Sequence, residues 1–129
     1  MTKENFIQIL RIVASRDTSA DPENWTPQNP LWGHCAVVSL LAQDYFGGSL
    51  VRGSLAGNSK YSYLRSHYWN LLSSGEEVDF TSGQYADLNF SDLPKESRDR
   101  DHVLSYPNTQ KRYLLLKNNF EKSARDALI

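Results

Sequence analysis

The chain has a single cysteine, Cys35, in 129 residues. One thiol excludes an internal disulfide and leaves no CxxC pair of the kind that builds structural zinc sites. Neither charge is in excess: 14 Lys and Arg stand against 15 Asp and Glu, scattered along the chain. No field of one sign therefore draws the protein toward nucleic acid or an anionic membrane. No apolar run approaches the roughly 18 residues a spanning helix needs, so membrane insertion is not expected. Repeats, low-complexity blocks and long linkers are also missing. The opening MTKENFIQIL carries neither a basic leader nor an apolar stretch of signal length, and the expectation is a protein of the reducing cytoplasm.

What is present is a composition for folding: 40% hydrophobic and 12% aromatic residues, enough for one domain over 1–129 with its own core. Phe6, Ile7, Leu10, Val13 and Ala14 recur at helical spacing. Residues 16–31, with Pro22, Pro27 and Pro30, read as an extended loop pinned by Trp25 and Trp32. From Cys35 to Phe46 a nearly continuous apolar series predicts a buried helix closed by Gly47 and Gly48. Ser49–Leu55 and Tyr61–Leu72 read as a hairpin around the turn at 56–60. Ser73-Ser74-Gly75 then turns the chain into a strand at Glu76–Thr81. A short helical turn is predicted within 84–90, a solvated loop at 91–100, a helix at 102–107 and an amphipathic helix from Asn108 or Thr109 through Ala124. The fold class is α+β, with the Cys-bearing helix on a small antiparallel sheet of three or more strands, flanked by N- and C-terminal helices.

Cys35 falls in the first turn of its helix, where unpaired N–H groups and the helix dipole favour a thiolate. A nucleophilic thiol also needs a base and a group to orient that base. His34, His67 and His102 are available as bases. Pairing about Ser73 and Ser74 sets His67 opposite Asp79 or its neighbour, so a Cys35 helix packed on this sheet completes nucleophile, base and orienter. The same residues also read as a buried thiol beside an ordinary cross-strand pair. Trp32 and Trp69 either wall a groove or fill core, and Asn70 is an alternative orienter on the opposite strand face. His102 lies in a charged run, while Arg52 and Arg65 face water or bind an anion.

Three segments, Trp32-Gly33-His34-Cys35-Ala36, Ser66-His67-Tyr68-Trp69-Asn70 and Glu77-Val78-Asp79-Phe80-Thr81, resemble the cysteine helix and the His and Asp strands of transglutaminase-like proteins. More closely, DPENWTPQNPLWGHCAVV, SHYWN and YLLLKNNF resemble the small bacterial YunG family over most of the chain. The resemblance implies a papain-like (transglutaminase-like) core with Cys35 as nucleophile, His67 as general base and Asp79 orienting it, and no cofactor. Papain-like enzymes place a Gln about six residues before the cysteine as an oxyanion donor. Here Asn29 holds that place and Gln28 precedes it, so either amide is a candidate beside the Cys35 N–H. His34 stands where a Gly-Gln-Cys sequence has Gln. The implied activity is that of a cysteine hydrolase or acyl transferase acting on an amide, ester or thioester of a small molecule or peptide. The alternative is a non-catalytic binding module with a degenerate site. A metal site from His34, Cys35, His67 and Asp79 is disfavoured by the adjacent spacing of the first two.

Overall fold

The computed structural model describes residues 1–126. Helix α1, Lys3–Val13, starts where the Thr2 hydroxyl accepts from the Asn5 N–H at 3.1 Å, and it buries Phe6 and Leu10. Helix α2, Cys35–Phe46, buries every residue from Val37 to Ala42. A helix apolar on so many sides belongs in the middle of a fold. It stops at Gly47, whose φ of +70° suits glycine. Helices α3, Arg100–Leu104, and α4, Pro107–Asp126, complete the helical layer, and single 3-10 turns lie at Arg16–Thr18, Ser62–Leu64 and Phe90–Asp92.

Strands β1, Ser49–Ser54, β2, Ser66–Leu71, β3, Glu77–Val78, and β4, Lys95–Arg98, form an antiparallel sheet in the order β3-β2-β1-β4. The architecture is α+β with a four-stranded antiparallel sheet. Helix α2 is fastened to β2 by the Asn70 amide, which donates to the Ser39 carbonyl at 2.9 Å. The main core lies between helices and sheet. At its centre the Phe6 ring meets Tyr45, Phe46, Phe80 and Phe120, with centroids 5.0 to 5.9 Å away. A smaller cluster of Leu55, Tyr61 and Tyr85, joined by Trp32, Leu64, Leu88 and Leu93, closes the molecule on another side.

Several expectations are corrected. The return strand begins at Ser66, because Ser62–Leu64 forms a 3-10 turn and Arg65 has φ +69°. The aromatic residues that suggest strand there serve the smaller cluster, through Tyr61. The charged segment expected to be loop contains β4, which pairs with β1 along Lys95–Arg98. An edge strand needs no apolar face, and its charges discourage pairing with another chain. The third strand is reduced to Glu77–Val78. Asn70 pairs with Val78 and Leu71 with Glu77, across a three-residue turn in which Gly75 takes φ +90°. Continued by one pair, this register sets Asp79 across from Trp69 and not His67. The two-residue offset keeps His67 and Asp79 on one face as diagonal neighbours.

Candidate functional site: a thiol, a buried imidazole and a carboxylate

The loop before α2 is held by its own side chains. Trp25 Nε1 donates to the Pro30 carbonyl at 2.8 Å, Ser19 Oγ to the Trp32 carbonyl at 2.7 Å, and Ala20 N to the Gly33 carbonyl at 2.9 Å. Gly33 has φ +75°, and a Cβ there would lie 2.3 Å from Ser19 Oγ, so neither the conformation nor the space admits a larger residue. His34 is wholly buried and spends both ring nitrogens locally: Nδ1 donates to the Trp32 carbonyl at 2.8 Å, and Nε2 receives the Thr18 hydroxyl at 2.6 Å. Burial foremost, helped by the charge of Arg112, lowers its pKa to about 4 against the two backbone bonds, which leaves it neutral. Cys35 follows as the first residue of α2, half-buried and with a free thiol.

His67 projects from β2 with 1% exposure, and its Nε2 meets Asp79 Oδ2 at 2.6 Å; the carboxylate itself is 7% exposed. Burial works against the imidazolium. The hydrogen bond to Asp79 first, then the neighbouring Cys35 and the Asp79 charge, outweighs it and raises the pKa to about 10. The balance favours the charged ring at neutral pH. Its other nitrogen, Nδ1, is buried and has no hydrogen-bond partner among the described residues.

The second carboxylate oxygen, Asp79 Oδ1, accepts from the Thr81 N–H and the Thr81 hydroxyl, both at 3.0 Å. Thr81 Oγ1 in turn receives Gln84 Nε2 at 2.7 Å, and Gln84 Oε1 receives the Gly33 N–H at 3.0 Å. A continuous chain of hydrogen bonds thus joins His67, through Asp79, Thr81 and Gln84, to the backbone two residues before the thiol. Gln84 is 4% exposed and Thr81 is 1% exposed, so little water competes for these bonds.

Cys35 opens on a cleft of about 480 Å³. Trp32, Tyr63, Tyr68 and Tyr85 supply its aromatic wall, and Asp21 is the one ionisable acid or base on it besides the thiol and the tyrosines. The Asp21 carboxylate is fixed by Asn24 Nδ2 at 2.9 Å and Trp32 Nε1 at 3.0 Å, both donating to Oδ2. His67 does not itself line the cleft. It lies one layer deeper, beside a recess of about 30 Å³. Tyr85 borders both spaces and packs edge-on against the imidazole, with centroids 5.3 Å apart. Burial first, then the charges of Cys35 and Asp79, push the Tyr85 phenol up, which keeps it neutral.

The structure brings Cys35, His67, Asp79 and Trp32 to this region and takes the remaining candidates elsewhere. Asn29 and Gln28 face a different recess with Arg11, Ser82 and Gly83, and Asn29 Nδ2 is occupied by the Gln84 carbonyl at 2.9 Å, so neither amide reaches the thiol. His34 is turned into the loop. Trp69 is 1% exposed, donates to Glu77 Oε1 at 3.1 Å and covers Gly53, so it is core and not cleft wall. Asn70 is committed to α2 and cannot replace Asp79. Arg52 pairs with Glu96, and Arg65 and His102 are exposed. Asp21, Tyr85 and Gln84 were not among the candidates. Only Thr81 carried a sequence signal, as the Thr of Asp79-Phe80-Thr81. No group of three or more His, Cys, Asp and Glu side chains among the described residues converges as a metal site, and no helix among them is long and apolar enough to cross a membrane.

A family model described as YunG protein matches residues 2–125. The chain is also similar to the uncharacterized protein YunG of Bacillus subtilis (strain 168), at 30% identity over 92 residues that cover 70% of each chain. No solved structure matches it.

Proposed function

The chain belongs to the YunG protein family, and on that footing we propose that it is a thiol-dependent hydrolase or acyl transferase on a papain-like, transglutaminase-like core. What supports the reading is the placement of His67: buried, bound to Asp79 through Nε2 at 2.6 Å and without another partner at Nδ1 among the described residues, with its pKa raised above the ordinary value. An imidazolium is costly to bury unless its charge is used, and beside a thiol it supports a thiolate.

In this reading the Cys35 thiolate attacks the carbonyl carbon of an amide, ester or thioester. The carbonyl oxygen becomes an oxyanion that accepts the Cys35 backbone N–H, one of the first-turn groups of α2 that no side chain caps. His67 gives its Nδ1 proton to the departing amine, alcohol or thiol as the carbon–heteroatom bond breaks, leaving a thioester on Cys35. Neutral His67 then takes a proton from water or an acceptor amine as it attacks that thioester. Release of the acyl product restores thiolate and imidazolium. Asp79 holds the ring through Nε2 across both steps. Tyr85, which lines the cleft and packs edge-on against the imidazole, is the residue that would control access of the substrate to His67.

Iodoacetamide modification tests the first half of this scheme. The wild-type thiol is expected to alkylate rapidly at neutral pH, Cys35→Ser not at all, and His67→Ala about tenfold or more slowly. A wild-type thiol as unreactive as a buried structural cysteine rejects the reading. Acyl transfer is tested by mass spectrometry after incubation with activated esters and thioesters, where an acyl group on Cys35 is expected. A thiol that alkylates but is never acylated supports a binding module with a degenerate site instead.

A further inference from the structure

Arg112, on α4, is 8% exposed, and its hydrogen bonds all go to neutral oxygens: the Asn108 side-chain carbonyl at 2.8 Å, the Thr18 carbonyl at 3.3 Å and the Thr109 hydroxyl at 3.4 Å. It makes no ion pair among the described residues. Burying a guanidinium that forms no ion pair is unfavourable, and burial pulls its pKa below the usual value against a smaller opposing influence of Cys35. Arg112 lies in the wall of a second recess of about 480 Å³, between the 16–22 segment and α4, together with Arg16, Lys111 and Asp17. Three cations against one carboxylate leave that recess with a net charge of +2. Arg16 is held in place by donation to the Pro22 carbonyl at 2.6 Å and by stacking over Trp25 at 5.4 Å. Lys111 is exposed and forms no ion pair among the described residues.

We propose that this recess binds a phosphate group, with Arg112 at its base and Arg16 and Lys111 at its rim. A planar fork fixed by three neutral acceptors keeps its charge available, and a phosphate dianion matches the excess of two cations. The site does not depend on the chemistry of Cys35. It does adjoin it: the two recesses share Ala20, and Thr18 accepts from Arg112 through its carbonyl while its hydroxyl holds His34, the residue before Cys35.

Isothermal titration of the full chain with inorganic phosphate and with glycerol 3-phosphate, at fixed ionic strength set by sodium chloride, tests the site. Saturable binding of at least one of them is expected, weakened about tenfold or more by Lys111→Glu and by Arg16→Gln. Tighter binding of the ester assigns the site to a phosphorylated small molecule, and equal affinity to free phosphate. Arg112→Gln is expected to abolish binding, and if that variant fails to fold, the two rim variants decide. No heat beyond dilution for either ligand overturns the proposal, as does undiminished binding by both rim variants.

Discussion

The titration of His67 separates two opposed influences, because burial disfavours the charged ring while Asp79 and Cys35 favour it. Asp79→Asn removes the carboxylate and leaves the burial. The ring is then expected to titrate well below about 10, which NMR of the imidazole nitrogens would record. Cys35→Ser removes the other raising influence and is expected to lower the same pKa as well. At Gln84 both polar atoms of a buried amide are used, toward Thr81 and toward Gly33. Gln84→Ala is expected to cost about 1–3 kcal/mol by leaving those partners unsatisfied, read from the urea midpoint, and to slow alkylation of Cys35 by loosening its loop. The placement of Cys35 at a helix start was legible, because helix signals are local: an apolar series, a glycine pair behind it and a proline-marked loop ahead. The contact from Gln84 to Gly33 was not, since 51 residues separate the partners and neither lies on a periodic element. The same limit applies to Asn29, Gln28 and His34. Spacing put them near the thiol, but their side chains are directed by hydrogen bonds within a loop that has no repeat to read.

Among the elements, α2 and the hairpin from β2 to β3 were legible for a physical reason: each carries an apolar face or a turn that fixes its geometry. The turn falls on Ser73-Ser74-Gly75 as its composition predicts, but the ladder is centred on Ser74 and not between Ser73 and Ser74 or earlier. Gly75 in a left-handed conformation makes the loop three residues long and shifts the ladder. The parity survived, which is why His67 and Asp79 still share a face. Strand β4 was missed because an all-polar edge strand has the composition of a loop. Its role is read from ladder and charge: Glu96 meets Arg52 at 3.4 Å and Arg98 at 2.6 Å, and Lys95 meets Glu77 at 2.9 Å. These exposed pairs add little stability, so β4 is held chiefly by its backbone bonds to β1. The central strand offers a sharper test. A Cβ at Gly53 would lie 2.5 and 2.6 Å from the Trp69 ring and 2.9 Å from Leu93. Gly53→Ala is therefore expected to destabilise by about 1–3 kcal/mol through overpacking. Gly57→Ala is the control: no heavy atom lies within 4 Å of its Cβ position, and a nearly unchanged thermal midpoint is expected.

At the scale of the whole molecule, the two buried histidines make stability depend on pH in opposite directions. His67 binds its proton more tightly in the folded state, with a pKa of about 10 against about 6.5 in an unfolded chain. Its contribution is complete below the unfolded value and is lost as pH rises through the folded one. His34 is the reverse case, with a folded pKa of about 4. The unfolded chain gains a proton that the folded chain refuses, so stability falls as pH drops from the unfolded value toward the folded one. The other resolved shifts start at or beyond the ends of this interval: Tyr45, Tyr68, Tyr85, Tyr113 and Lys117 are displaced upward from its alkaline end, Arg112 is displaced downward from well above it, and Glu77 is displaced downward from its acid end. The expected profile is a dome with its summit near pH 6.5, about the unfolded histidine value, measured as the urea midpoint across the range. Asp79→Asn should make the alkaline limb shallower, because the ring then holds its proton less far above the unfolded value. His34→Gln should flatten the acid limb without altering the other. An alkaline limb undiminished in Asp79→Asn would place the loss elsewhere and remove the His67–Asp79 pair as its source.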